Sequence, residues 1–485
     1  MNRSQMKWLA VGGTVILTAS FFSLDRVIAS TDPKAGPLTP PEYPASCDTI
    51  DLPAGFEFPE IIPALPYDLD SLKTNPAAKS TTPAECDVFE TQKMFDLFSW
   101  ATFIGLNWPA DDQGNPLPGK IGSAPGAPRV WETYLMPSQI FREKGAEPVP
   151  WGTPESPSRT LDAISKHTHI LDEVDEAFFN LETPMPPITD LNKEYVRYEI
   201  RINKEEYLYI KNNKLYSTEG QAQFLKDQKT VSFPSGKAGA NPVRGAMELK
   251  AAWKKMGPGD DPSKFHTIRA TVEQPFAPKG TKPIIDQLYG LVGFHIMVRT
   301  ESAPQWVWAT FEHVANGPTV DLRTGVPSSI SGNGNYNFWD QNGQRSFGGF
   351  DPTVYQNLEK IKDGANYYQP IAERGASQIT RVITSNNWVT ESKWTKHLNK
   401  EMQSKLAGTV WENYRLISTQ WPTDPSAPTD GNPAPVSLGN PVMETYMQVN
   451  GSCMGCHFGS TFGGSDKKAA NANFSFILQR AQSSQ

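Results

Sequence analysis

Three residues near the C-terminus have the types and spacing of a cofactor-attachment motif: Cys453, Cys456 and His457, in the pattern C-x-x-C-H. Two thiols separated by two residues fit on one helical turn, from which both can add to the vinyl groups of a porphyrin. The adjacent imidazole is then directed at the porphyrin iron and can ligate it. The motif therefore predicts one covalently attached haem c, with His457 as the proximal iron ligand.

Two other kinds of chemistry use closely spaced cysteines. A zinc site needs a second pair of ligands at short spacing, and the sequence has no second C-x-x-C and no further histidine near this one. A redox-active dithiol of the thioredoxin type needs the motif at the start of a helix in a βαβ unit, a context that this segment lacks. The haem interpretation is therefore favoured over both.

The segment that carries the motif, residues 436–485, is too small to enclose a porphyrin by itself. Residues 458–485 contain neither methionine nor histidine, whereas ordinary cytochromes c have a methionine ligand downstream of the motif. We therefore expect the rest of the chain to form much of the haem pocket. Either an upstream residue is the sixth iron ligand, or that coordination position is open.

Three upstream residues are candidates for the distal ligand: His295, His313 and Met297. All three lie in the aromatic stretch 288–314, where alternation would place His295, Met297 and Arg299 on one face of a strand. Arg299 could then bind a haem propionate. The alternative is that both histidines are hydrogen-bonded core residues, since a lone histidine in a strand more often packs than ligates.

The elements that must position these residues are mixed helices and strands. Amphipathic or helix-like patterns predict helices at 90–108, 159–179, 355–363 and 391–406, whereas β-branched and aromatic alternation predicts strands at 197–202, 266–273, 288–299 and 305–314. The last two strands, connected by residues 300–304, should form an antiparallel hairpin. The predicted fold class is α+β, with an antiparallel-sheet core and peripheral helices.

Composition changes along the chain predict four parts: a signal peptide at 1–29, a Pro-rich arm at 30–89, an α+β body at 90–435, and a short cytochrome c-like haem segment at 436–485, packed on the body. Basic residues precede the apolar run 8–24, and the triplet VIA at 27–29 offers small residues at the −3 and −1 positions of a cleavage site. The alternative is an uncleaved anchor, although the run is at the lower length limit for a spanning helix.

The other two cysteines, Cys47 and Cys86, could form a disulfide in an exported protein. Because the N-terminal segment predicts export, the expected location is the periplasm or an equivalent extracytoplasmic compartment. A net charge of −7 gives no basic footprint, so nucleic acid is a poor candidate partner. After residue 30 no apolar stretch is long enough to span a membrane.

The motif SCMGCH resembles the broad class of c-type cytochromes. Together with FSWATFIGLNWP, GLVGFHIMVRT, QWVWATFEHVANGP and FSFIL, it makes the chain similar to a largely uncharacterised family of exported bacterial proteins with one C-terminal haem motif. The resemblance spans about residues 90–480 and implies Cys453, Cys456 and His457 as haem ligands. We expect a monohaem protein that exchanges electrons with an unknown redox partner protein. The alternative is a haem-dependent oxidoreductase with a substrate pocket in the body.

Overall fold

The structure, a computed structural model, describes a large part of the chain: residues 50, 52, 56–69, 87–154, 160–161, 188–272, 284–321, 326–329, 336–340, 376–383, 392–423, 432–445, 448, 451–463 and 469–484. Several predictions lie outside the described residues: the signal peptide at 1–29, the cysteines Cys47 and Cys86, and the helix at 355–363. The described residues all belong to one compact unit, Pro44–Gln485.

The described helices and strands, in chain order, are listed here with the labels used below. The α-helices are α1 (Asp87–Leu106), α2 (Pro137–Ile140), α3 (Lys204–Asn212), α4 (Thr218–Lys226), α5 (Lys393–Lys405) and α6 (Cys453–His457). The strands are β1 (Thr160–Leu161), β2 (Arg197–Ile202), β3 (Met247–Lys255), β4 (Thr267–Val272), β5 (Ile284–Arg299), β6 (Trp306–His313), β7 (Thr319–Asp321), β8 (Val326–Ser329), β9 (Arg381–Ile383), β10 (Tyr414–Pro422), β11 (Pro433–Ala434), β12 (Thr461–Phe462) and β13 (Ala470–Asn471).

One mainly antiparallel sheet organises the described part of the chain. The strand β5 is central and pairs with β3, β4 and β6; β2 pairs with β3, and β10 joins β6 to β11. The short β1 is parallel to β4, whereas the other pairs of this sheet are antiparallel. Two small sheets, with strand orders β8–β7–β9 and β12–β13, share no backbone pairing with it. The α+β prediction with peripheral helices is confirmed.

The predicted helix at 90–108 is α1, and it packs on one face of the sheet. Phe103 stacks on Phe311 of β6 at 4.2 Å between ring centroids, and both side chains are fully buried. The helix ends at Leu106: the N–H of Asn107 still donates to the Phe103 carbonyl at 3.0 Å, but Pro109 has no N–H with which to continue the ladder. Its polar side is also buried: Ser99 Oγ lies 2.7 Å from Thr419 Oγ1 on β10.

Most of the other predicted helices and strands agree with the structure, and one does not. The predicted strands at 197–202, 266–273, 288–299 and 305–314 are β2, β4, β5 and β6, and the predicted helix at 391–406 is α5. The helix predicted at 159–179 is wrong at its start, where β1 is extended alongside β4, and its remainder lies outside the described residues. At the edge of the sheet, β1 finds its backbone partners on β4, and the local sequence of β1 does not encode this pairing.

The opposite face of the sheet is covered by the C-terminal part of the chain. Phe462, Phe474 and Leu478 are buried in one core cluster with Met297 and Trp308 of the sheet. The C-terminal segment therefore shares its core with the body. Part of the predicted arm, residues 56–69, also lies on the body, where Phe58 stacks on Trp394 of α5.

Candidate functional site

The C-x-x-C-H residues form α6, a single helical turn. Ser452 caps its start, since its hydroxyl accepts a hydrogen bond from the N–H of Gly455 at 3.1 Å. The N–H of Cys456 donates to the Ser452 carbonyl at 2.9 Å, which closes the turn around both thiols. Cys453 is half-buried and Cys456 is exposed. The turn therefore presents the two cysteines and the histidine within one short, capped element.

A buried glutamine of β10, which the sequence analysis did not single out, anchors this turn to the sheet. The side-chain oxygen of Gln420 accepts a hydrogen bond from the N–H of Met454 at 2.8 Å. Its amide nitrogen donates to the carbonyl of Pro435 at 2.7 Å. Met454 itself is buried in the core shared with the sheet. The Gln420 side chain therefore fixes both α6 and the segment around Pro435 that precedes it in the sequence.

The imidazole of His457 is oriented by a backbone carbonyl. Its Nδ1 lies 2.6 Å from the carbonyl oxygen of Phe474. A carbonyl can only accept, so Nδ1 carries the proton and Nε2 keeps a lone pair for a metal. The ring also packs edge-on against Phe476 at 5.2 Å and lies 6.2 Å from the ring of Trp308. The proposed proximal ligand is thus held in a definite tautomer.

A pocket joins this turn to the central sheet and contains about 910 Å³ of space free of protein atoms, part of it open to solvent. From the sheet it is lined by Glu248, Lys250, His295, Met297 and Trp308; from the C-terminal segment it is lined by Cys453, Cys456, His457, Phe476 and Arg480. Residues more than 150 positions apart in the sequence therefore face one cavity.

The three candidate distal ligands are not equivalent in the structure. Met297 is buried in the pocket wall, and its strand partner across the hairpin is Trp308, the side chain that packs near His457. His295 lines the same pocket but is half-buried. Its Nε2 lies 3.4 Å from a carboxylate oxygen of Glu444, close enough for an ion pair when protonated but without an aligned hydrogen bond.

The structure does not bring His313 to this site. It lies on the opposite face of the sheet, where its ring stacks on Phe265 at 4.0 Å. Both ring nitrogens are engaged: Nδ1 accepts from the N–H of Ala315, and Nε2 donates to the carbonyl of Lys264 at 3.1 Å. Burial lowers the pKa of His313 to about 4. His313 is therefore a neutral core histidine, the alternative that the sequence analysis had left open.

The expected propionate partner, Arg299, has a different role. Its guanidinium donates to Asn473 Oδ1 at 2.9 Å and to the carbonyls of Pro304 and Phe233, so it holds the C-terminal segment. Burial lowers the pKa of Arg299 to about 10. The cations that line the pocket are Lys250 and Arg480 instead. The prediction for Arg299 is therefore wrong, because local alternation cannot show which neighbour a long side chain meets.

A buried carboxyl group lies behind the pocket. Glu206 of α3 is fully buried, and neither of its oxygens has a hydrogen-bond partner. Burial raises the pKa of Glu206 well above its usual value, the nearby Glu248 raises it further, and Arg299 opposes the shift. Burial therefore favours the protonated, neutral form of Glu206, and Glu248, the carboxylate that raises its pKa further, lines the pocket.

The pocket combines apolar and charged side chains, as a porphyrin with polar substituents would require. Its wall includes Met297, Trp308 and Phe476 beside two acidic and two basic side chains, and the indole N–H of Trp308 is buried without a hydrogen-bond partner. Such a group is costly unless a ligand atom satisfies it. Among the side chains that the structure describes, no group of three or more His, Cys, Asp or Glu could hold a bare metal ion, so Cys453 and Cys456 lack zinc co-ligands there.

Comparison with protein-family models, with curated proteins and with solved structures returned no match for this chain. Within the described ranges, no helix is both long and apolar enough to cross a bilayer.

Proposed function

We propose that this chain is a monohaem c-type cytochrome-like protein that transfers electrons outside the cytoplasmic membrane. Its haem c would be bound covalently by Cys453 and Cys456, with His457 as the proximal ligand. The observation that carries the proposal is the shared pocket: the C-x-x-C-H turn faces a sheet wall that offers a buried methionine and a histidine. The resemblance of SCMGCH to c-type cytochromes supports the same assignment.

When bound, the haem supplies one-electron redox chemistry at a potential that its surroundings set. The chain's own residues bind and orient it. The Phe474 carbonyl holds the proton of His457 on Nδ1, so that Nε2 is the ligating nitrogen. Lys250 and Arg480 line the pocket as cations suited to the propionates. Cys456 is exposed, so a haem attached there would have its attachment edge accessible to a redox partner.

We assign the distal coordination position to Met297 rather than to His295. Met297 is buried and paired across the hairpin with Trp308, whose ring lies near that of His457. His295 lies two residues earlier on β5, and its Nε2 is 3.4 Å from a carboxylate oxygen of Glu444. That carboxylate is itself held in place, since the N–H of Asn440 donates to the same oxygen at 2.8 Å. A neutral thioether in an apolar wall needs no such partner.

The test is expression of the full chain with its export segment in a bacterium able to attach haem c. After denaturing electrophoresis, the wild-type band should stain for haem, and Cys456→Ala should weaken that stain several-fold. Met454→Leu, between the two cysteines, is the matched control and should stain like the wild type. Absence of haem from the wild-type chain, or undiminished staining of Cys456→Ala, would overturn the proposal.

A second candidate function is a haem-dependent oxidoreductase with a substrate in the same pocket. The observation that favours it is the pairing of His295 with Glu444 in the pocket wall, because an imidazole next to a carboxylate can move protons. The two candidates differ in the sixth coordination position. A ferrous spectrum that carbon monoxide does not change indicates an occupied position and electron transfer, whereas a changed spectrum indicates an open position and favours the enzyme.

The proposal keeps two further expectations. Segment 1–29 would direct export, and electrons would pass to or from an unknown redox partner protein. Mass spectrometry of the mature protein tests the first, since cleavage after Ala29 leaves Ser30 as the N-terminal residue.

A further inference from the structure

A tight turn in the C-terminal segment, Ala472–Ser475, has an unusual backbone. Its two central residues both have positive φ, +54° for Asn473 and +67° for Phe474. The N–H of Ser475 closes the turn on the Ala472 carbonyl at 3.2 Å. Two consecutive positive φ values are the pattern of a type I′ turn, in which asparagine suits the first position and glycine the second. Phenylalanine in the second position is strained, because its Cβ crowds the backbone.

The sheet holds this turn in place through side chains from two strands. The indole N–H of Trp306 donates to the Asn473 carbonyl at 2.7 Å, and Arg299 donates to Asn473 Oδ1 at 2.9 Å. The Asn473 side chain also accepts from the N–H of Phe233 at 3.1 Å. All of these groups are buried, so each bond is formed away from competing water.

A third strand holds the far end of the turn. The hydroxyl of Ser475 donates to a carboxylate oxygen of Glu248 on β3 at 2.6 Å. The same hydroxyl accepts from the N–H of Ile477 at 3.2 Å, which starts the following helical turn. The turn is therefore held on both sides of Phe474, the residue with the strained backbone.

The strained residue is also the one whose carbonyl meets the imidazole of His457, at 2.6 Å. Backbone strain persists only where the surroundings enforce it, and it is concentrated at functional sites. We propose that the Asn473–Phe474 turn, held by Trp306, Arg299 and Glu248, is a positioning device that fixes the tautomer and ring orientation of His457. This inference rests on the proposed function for the meaning of that tautomer, which puts the lone pair that would ligate iron on Nε2.

The first test uses the haem-free full chain and ¹⁵N NMR of the His457 ring at a pH where it is neutral. The wild type should hold the proton on Nδ1. Asn473→Gly, which tolerates positive φ but removes the side-chain acceptor, should lower the ratio of the Nδ1–H to the Nε2–H form several-fold. Ser475→Ala removes the hydrogen bond to Glu248 and should lower the ratio less. If Asn473→Gly fails to fold, this second variant tests the positioning role instead.

The control is Gln228→Gly, since Gln228 also has a positive φ, +57°, but lies exposed beyond the end of α4. It should leave the His457 tautomer unchanged. An unchanged ratio in a folded Asn473→Gly protein, or in Ser475→Ala if only that variant folds, would overturn the positioning role.

The second test uses the haem-loaded chain and separates this inference from the proposed function. Asn473→Gly should keep covalent haem staining but raise the midpoint potential, because a weaker bond at Nδ1 makes the imidazole a poorer electron donor to ferric iron. Staining with an unchanged potential would contradict the positioning role alone. A wild-type chain without haem would contradict the proposed function, while the tautomer measurement would still decide the inference.

Discussion

Met297 and Trp308 are directly opposite each other across the β5–β6 hairpin, and the ring of Trp308 lies 6.2 Å from that of His457. Directly opposed residues of antiparallel strands have Cβ atoms about 5 Å apart, so the methionine and the indole form one continuous surface. Through this pair, a strand in the middle of the chain faces the C-terminal C-x-x-C-H turn. The predictions below follow from this arrangement and from the core that supports it.

Replacing Met297 should open the sixth coordination position of the haem. Met297→Leu keeps the volume and apolar character of the side chain but removes the sulfur, so ferrous protein should bind carbon monoxide, which the wild type should not. Absorption spectra with and without the gas measure this. Met443→Leu is the matched control, since Met443 is buried in a separate core cluster. If His295→Asn alone opens the position, His295 is the ligand instead.

His313 should affect stability and its pH dependence but leave the haem spectrum unchanged. Its folded pKa of about 4 is below the unfolded value near 6.5, so the unfolded chain binds more protons between these pH values. The wild type should therefore lose up to about 3 kcal/mol of stability from this group as the pH falls from 6.5 to 4. Urea unfolding of wild type and His313→Gln across that range checks the difference. A haem spectrum altered in His313→Gln would contradict its placement on the far face.

Asp96 of α1 should have the opposite pH dependence. Burial raises the pKa of Asp96 to about 6, although Gln92, Thr419 and Thr395 offer hydrogen bonds that lower it. The folded chain then binds the extra proton between about pH 4 and 6, so this group makes the protein less stable as the pH rises through that range.

Asp96→Asn should therefore be more stable than the wild type above pH 7, by up to about 3 kcal/mol, with the difference shrinking towards pH 4. The amide keeps one acceptor for Gln92 and gains a donor for the hydroxyl of Thr395. Thermal or urea unfolding at several pH values measures the difference. A constant difference across pH would show that Asp96 does not titrate in this range.

Removing the Gln420 side chain should loosen α6 from the sheet. Gln420→Leu leaves the N–H of Met454 and the carbonyl of Pro435 without their partner in a buried region, which costs about 1–3 kcal/mol. The free energy of unfolding in urea measures this loss. Gln223→Leu, which removes an exposed bond to Asp227, should cost well below 1 kcal/mol and is the control. Equal effects of the two variants would argue against the anchoring role.

The hairpin illustrates how far the sequence could go. Alternation correctly predicted both strands and their antiparallel pairing, but Arg299 pairs with Trp306, so six residues intervene and not the five of 300–304. Because side chains alternate faces, that single residue moves His313 to the opposite face from His295 and Met297. Turn geometry decides such a register, and the residues 300–305 contain no simple turn signature.

Other site residues gave no signal in the sequence. Gln420, Trp308 and Glu444 stand in ordinary strand or turn patterns, and only their neighbours in space give them a role. The side chain of Asn440 likewise donates to the hydroxyl of Thr310 and to the Phe311 carbonyl on β6. These contacts cross more than 100 positions of sequence, and no local propensity encodes them.

By itself, the sequence determined the residues of local chemistry: Cys453, Cys456 and His457 must share one turn, because their spacing matches the helical repeat. It also determined the main strands and α1, whose apolar patterns have the periods of strand and helix. Only the tertiary structure decided which sheet face covers the motif, which carbonyl binds His457, and that Met297 and His295 but not His313 line the pocket. Those choices depend on strand register and long-range packing, which local periodicity does not specify.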